Sequence, residues 1–179
     1  KLFAQCSDVM MKLSHLPQPV IARVHGIATA AGCQLVAQCD LAVASDTARF
    51  AVSGINVGLF CSTPSVALGR NVLRKQAMEM LLTGDFIDAA TAKERGMVNR
   101  VVPADKLDAE VRALADAIIK KSAVAVTTGK KMFYKQMEMV MEAAYEYAAE
   151  VMACNMMADD AGEGIDAFMQ KRPPQWKNK

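Results

Sequence analysis

The stretch from Val20 to Cys39 constrains the fold more than any other. Val20-Ile21-Ala22-Arg23-Val24 is a short apolar run rich in β-branched residues, the composition of a buried strand, and it ends at Gly26. Ala28-Thr29-Ala30-Ala31-Gly32 then carries only small side chains, as a tight turn requires. Cys33-Gln34-Leu35-Val36-Ala37-Gln38-Cys39 has apolar residues at helical spacing. A second strand, Asp40-Leu41-Ala42-Val43-Ala44, follows at once. Strand, turn, helix and strand in so short a space are the alternation of an α/β fold.

The flanking segments extend this pattern. Leu2, Phe3, Cys6, Val9, Met10, Leu13 and Leu16 recur as one face of a helix closed by Pro17 and Pro19. Arg49-Phe50-Ala51-Val52 predicts a third short strand. Pro64 suits the first turn of a helix running to Val72, and Lys75 to Leu82 forms the next, stopped at Thr83-Gly84-Asp85. Asp88 is placed to cap a helix from Ala89 to Arg95 that Gly96 ends. Met97 to Val102 returns to strand, and Pro103 begins a long helix to Lys121. One or two further helices reach Asp159, and a short final one covers Gly162 to Lys171. The expected division is a core over 1–103 and a helical region over 104–179.

Composition removes several classes of function. A formal charge of +2 is too small to direct the chain to nucleic acid or to a membrane surface. No apolar run approaches the ~20 residues that span a bilayer. Five cysteines without a CxxC pair argue against a disulfide framework and for a reducing compartment, and the isolated His15 and His25 give no zinc spacing. The first residues lack the layout of a secretion signal, and the absence of an initial methionine suggests a start part-way through a protein.

The turn before Cys33 is the candidate site. The first N–H groups of a helix have no intrahelical acceptor and carry partial positive charge, so they can hold an oxyanion. Ala28, Ala30, Ala31 and Gly32 leave the backbone open to a close approach of about 3 Å. From these residues alone, a well-packed βα turn is the better reading of the pattern and an anion site the second.

A longer match decides between them. Pro19-Val20-Ile21-Ala22-Arg23-Val24-His25-Gly26-Ile27-Ala28-Thr29-Ala30-Ala31-Gly32-Cys33-Gln34-Leu35 resembles the signature of the enoyl-CoA hydratase/isomerase family, within the crotonase superfamily. The likeness continues through Cys39 to Ala44, Phe50 to Gly58, Ala77 to Gly84, Ala90 to Gly96, Val98 to Pro103 and Glu163 to Arg172, in the family's order. Asn56 to Pro64 is most similar to the branch called enoyl-CoA hydratase domain-containing protein three.

The resemblance implies a crotonase fold of stacked ββα turns with a C-terminal helical region, assembled as trimers or paired trimers. The N-terminal part of that fold is expected to lie outside this chain. The implied ligand is an acyl-CoA, with coenzyme A as part of the substrate and no separate cofactor. Two backbone N–H groups would bind the thioester oxygen. One is that of Ala31, where the family usually has glycine. The other would come from a loop upstream of residue 1. Phe168 and Lys171 match positions that reach the CoA adenine and phosphate of a neighbouring subunit, from one face of the last helix. A cytoplasmic location is expected, or the mitochondrial matrix in a eukaryote.

The same resemblance exposes two departures. Hydratases of the family use two glutamates to position and deprotonate water, and these positions are Gln34 and Gly54 here. A positioned acid/base group contributes about 10²–10⁴-fold, so hydration by the two-glutamate route is not expected. Cys61 and Ser62 lie in a loop that borders the acyl pocket in relatives, with Cys61 read first as a small apolar filler. Ser53 and Asn56 are expected to form a turn, His25 to hydrogen-bond it, and Asp40 to open the second strand. Methionines at 132, 137, 139, 141, 152, 156 and 157 suit core or trimer packing. Lys130, Lys131, Tyr134 and Lys135 are a solvated helix face without the larger patch that RNA needs. Three functions remain: an acyl-CoA enzyme without the glutamate pair, a non-catalytic acyl-CoA binder, and a structural subunit.

Overall fold

Two strand-strand-helix turns follow one another after the N-terminal helix. A computed structural model describes all residues from Lys1 to Lys179. Helix α1 spans Leu2–His15, β1 Ile21–Val24, β2 Ile27–Thr29 and α2 Ala31–Gln38. Strands β3 (Leu41–Ser45) and β4 (Arg49–Ala51) lead through a 3-10 turn, Ser53–Val57, into α3 (Ser62–Asn71). Helix α4 (Arg74–Thr83), β5 (Ile87–Asp88), α5 (Ala89–Glu94) and β6 (Arg100–Val102) complete this part. A second 3-10 turn, Ala104–Lys106, enters α6 (Leu107–Ile119), followed by α7 (Ala123–Gln136), α8 (Met141–Met156) and α9 (Asp159–Met169).

Contacts divide the chain into two compact units, one of residues 1–14 and 20–114, the other of residues 15–19 and 115–179. The first holds both sheets, ordered β1-β3-β6 and β2-β4-β5. Strands β1 and β3 run parallel with Ile21 opposite Leu41 and Val24 opposite Ala44. Strands β2 and β4 are also parallel, with Ile27 opposite Arg49 and Thr29 opposite Ala51. Consecutive β1 and β2 therefore belong to different sheets, and the turn at Gly26 moves the chain from one to the other. Cys33, Phe50, Val52, Leu68, Met80 and Ala89 lie in the core of this unit.

Side chains fix the joints. Asp40 accepts from the N–H of Val20 at 2.6 Å, the strand-opening role expected of it. Asn71 donates to the carbonyls of Ala37 and Ala67, both at 2.8 Å, binding α3 to the end of α2. Asp88 caps α5 through the N–H of Thr91 at 2.8 Å. Gly84 (φ 69) and Gly96 (φ 83) end α4 and α5 in the left-handed region that favours glycine.

Several expectations need correction. Ile27–Thr29 is a strand, and α2 begins at Ala31 instead of Cys33. The two-residue β5 was not foreseen; it pairs antiparallel to β4, with Arg49 opposite Asp88. Such short strands have too few residues to show a period, and their partners define them. The helix expected from Pro103 starts only at Leu107, and the last helix covers Asp159–Met169 instead of 162–171.

In the second unit, α8 buries no residue, and Met137, Met141, Met152, Met156 and Met157 are all exposed. Core packing is thus excluded for these methionines. The C-terminal segment is held by two carboxylates of α9. Glu163 receives both Arg172 guanidinium nitrogens, at 2.6 and 2.9 Å, and the N–H of Gln175 at 2.7 Å. Asp160 accepts from Ser122 at 2.5 Å and from the N–H groups of Lys177 and Asn178. The Arg172 hydrogen bonds hold the Glu163 carboxyl down at about 2, and the Ser122 hydroxyl holds Asp160 below its ordinary value. No helix is long and apolar enough to cross a membrane.

Candidate active site

The site begins at a strained residue. Ala30, the residue before α2, has φ 48 and ψ −115, a left-handed combination that glycine adopts easily and alanine rarely. Two backbone bonds hold it there. The N–H of Ala30 donates to Ala51 of β4 at 3.0 Å, and its carbonyl accepts from Gln34 at 3.0 Å, the first bond of the helix. Ala31, Gly32 and Cys33 therefore form the first turn, where no preceding helical carbonyl is available to their N–H groups. Ala31 is exposed, and no carboxylate stands in that turn to neutralise the helix end. Ala28 is buried in β2 behind it.

Gln34 lies one turn further along and is only 5% exposed. Opposite, Thr29 and Ser53 exchange a side-chain hydrogen bond of 2.9 Å, tying β2 to the 3-10 turn that contains Gly54. Ser53 thus has a bonding role besides turn formation, and Asn56 donates to the carbonyl of Gly84 at 3.4 Å. The strand-turn-helix and the loop before α3 are joined through β4 and this hydroxyl pair. Sequence reasoning missed the strain at Ala30 and the Thr29–Ser53 bond, since both depend on β4.

Gly54 is enclosed. Its N–H donates to Cys61 Sγ at 3.3 Å and its carbonyl accepts from Leu59 at 3.0 Å. A Cβ added at Gly54 would stand 2.6 Å from the Leu59 carbonyl oxygen and 2.8 Å from Cys61 Sγ, closer than side chains tolerate. Cys61 is buried, as a filler would be, while Ser62 is exposed and its N–H donates to the Phe60 carbonyl at 2.8 Å. Burial, aided by the nearby Cys61, pushes the Cys33 thiol up to about 12, so Cys33 offers no thiolate near neutrality. His25 is exposed and makes no hydrogen bond to the turn, contrary to expectation.

Phe168 and Lys171 belong to the second unit. Phe168 is exposed on α9, but Lys171 lies beyond the helix with φ 52, so the two do not share a helical face. The N–H of Lys171 donates to Phe168 and that of Arg172 to Ala167, the paired bonds of a Schellman closure with lysine in the usual glycine place. The same unit has a cavity of about 400 Å³ lined by Asn155, Met156, Ile165, Phe168 and Trp176 among others. Asp160 and Ser122 on its wall are bonded to each other.

The sequence profile of the enoyl-CoA hydratase/isomerase family matches residues 3–179. The chain belongs to that family. Enoyl-CoA hydratase domain-containing protein 3 of Mus musculus, named mitochondrial, is 51% identical over 178 residues, which are 99% of this chain and 59% of the relative. An enoyl-CoA hydratase structure from Mycobacterium smegmatis is 62% identical with a TM-score of 0.97, covering 98% of this chain and 68% of that one. The human domain-containing protein 3 structure is 51% identical with a TM-score of 0.94, over 97% of this chain and 69% of that one. The fold is therefore the crotonase fold, and the likeness to the domain-containing protein 3 branch holds along the chain. The chain spans about three-fifths of the length of these curated relatives.

Proposed function

We propose that this chain supplies the thioester-gripping part of an acyl-CoA enzyme in which the Ala31 N–H binds the acyl oxygen and no glutamate pair activates water. The observation that carries this reading is the entry to α2. Strain is retained at Ala30, and the first-turn N–H groups are presented without a competing carboxylate. A backbone donor does not require glycine at 31, so alanine keeps the hydrogen bond and narrows the approach. Gln34 can hold a water or a substrate group but cannot take its proton, and Gly54 offers nothing. Hydration by two carboxylates is outside the reach of such a site.

In the same reading coenzyme A arrives as part of the substrate and no further cofactor is used. Phe168 and Lys171 contact the CoA of a neighbouring copy, with the exposed methionines in and around α8 covered in trimers or pairs of trimers. The mouse relative is named mitochondrial, and the matrix is the proposed location in a eukaryote, the cytoplasm otherwise. The absence of both carboxylates favours a second reading, an acyl-CoA binder that does no chemistry.

Calorimetry with acyl-CoAs, set beside turnover of crotonyl-CoA and longer 2-enoyl-CoAs by the full-length protein, separates the two. Binding with turnover supports the enzyme. Micromolar binding without turnover of any acyl-CoA leaves the binder, and no binding removes both.

A further inference from the structure

The second glutamate position differs from the first in a way that a residue comparison alone does not reveal. At Gln34 an amide replaces a carboxylate of the same reach. At Gly54 the space for a side chain is itself occupied. The Leu59 carbonyl oxygen and Cys61 Sγ stand 2.6 and 2.8 Å from where the first side-chain carbon would be. Neither is idle there. Leu59 donates its N–H to the Gly54 carbonyl, and Cys61 Sγ accepts the Gly54 N–H, so two bonds draw residues 59–61 onto residue 54. Cys61 cannot swing out freely, because it is buried in the same core cluster as Cys33 and Val52 and its carbonyl receives the N–H of Ser65 in α3.

We propose that Cys61 is a positioning residue that sets the reaction class of this site: by drawing the 59–61 segment onto Gly54 it closes the slot for a second carboxylate. The inference rests on the acyl-CoA reading only for its consequence in chemistry. The closure itself is a matter of packing and can be tested without ligand. It implies that placing glutamates at 34 and 54 does not return hydration, because the second has no room while Cys61 holds the segment and its Leu59 carbonyl against residue 54.

The test uses the full-length protein. Gly54→Ala should lower the melting temperature by roughly 2–10 °C, as overpacking does in a domain of this size. Cys61→Ala in the same chain should recover part of that loss, with the Leu59 carbonyl keeping the remainder. A Gly54→Ala protein that melts with the parent would overturn the closure. In the chemical arm, Gln34→Glu/Gly54→Glu should hydrate crotonyl-CoA no faster than the parent, while adding Cys61→Ala raises kcat at least tenfold with a smaller change in KM. A gain of about 100-fold in the double variant, the scale of a working acid/base group, would show the slot open and sink the proposal. A triple variant no faster than the double would remove the assignment to Cys61. Should the parent fail to bind any acyl-CoA by calorimetry, the proposed function fails, and the melting series still decides the closure.

Discussion

The turn entering α2 and the loop entering α3 have met sequence change in opposite ways. At the first, alanine stands where the family usually has glycine, and the feature of interest is unaltered because the backbone carries it. An N–H at position 31 points from the helix end whatever the side chain, provided Ala30 holds its positive φ. At the second, the role proposed for the position belongs to a side chain, and glycine at 54 has none. The space for a side chain there is occupied by Leu59 and Cys61. A function carried by the backbone tolerates substitution of its residue. One carried by a side chain is lost with it, and packing makes the loss hard to reverse.

The contrast can be broken most severely at Ala31. Ala31→Pro removes the N–H at the first helical position, and it also works against the φ 48 and ψ −115 of the preceding Ala30. Thioester turnover in the full-length protein should fall by at least about 10²–10³-fold, the weight of one oxyanion donor, with a lower melting temperature. An unchanged kcat would show that the backbone donor is not used.

Ala30→Gly tests the strain that presents this N–H. Glycine takes up φ 48 without penalty, and the relief should exceed its entropic disadvantage, giving about 1 kcal/mol more stability in a denaturant melt. Loss of stability would show that Ala30 is not strained. Lys171→Gly is the counterpart in the second unit, at the left-handed residue closing α9. It should stabilise by only a few tenths of a kcal/mol, since ordinary left-handed backbone is a smaller burden. Affinity for CoA should weaken if Lys171 binds phosphate, so stability and binding would move in opposite directions.

Acid should act on the second unit and leave the comparison intact. Glu163 titrates at about 2 in the folded chain against an ordinary 4.5, because of its bonds to Arg172 and to the Gln175 N–H. Its contribution is complete above the ordinary value and is lost as pH falls toward 2. Fluorescence of Trp176, the single tryptophan, should report release of the C-terminal segment in that window. Glu163→Gln should weaken this dependence and leave the part that Asp160 contributes through Ser122 and the N–H groups of Lys177 and Asn178. A tail signal that is flat from pH 5 to 2 in the parent would contradict the clamp.

The local signals read well along the chain. Gly84 and Gly96 stop their helices, Asp88 caps α5, Asp40 opens β3, and the strand-turn-helix near residue 30 sits where the pattern placed it. Apart from the Asp40 bond to Val20, these depend on neighbours within four or five residues, or on one apolar face. The misses share the opposite property. Strands β2 and β5 exist because β4 runs between them, and Lys171 leaves the helix because the Schellman bonds and the Arg172–Glu163 pair turn the chain. His25 was expected to bond the turn, but the turn's own bonds come from Ala51 and Gln34.

For the site, the sequence by itself determined the family, the run of small residues before α2, and the absence of carboxylates at Gln34 and Gly54. Side-chain identity is a property of one position and needs no partner to be read. Only the tertiary structure decided that Ala30 is strained and that Gly54 is closed. The first follows from the hydrogen bond to Ala51, and the second from residues 59 and 61 folding back against residue 54. Space is set by what returns to a position after the chain has folded, and no residue carries that information alone.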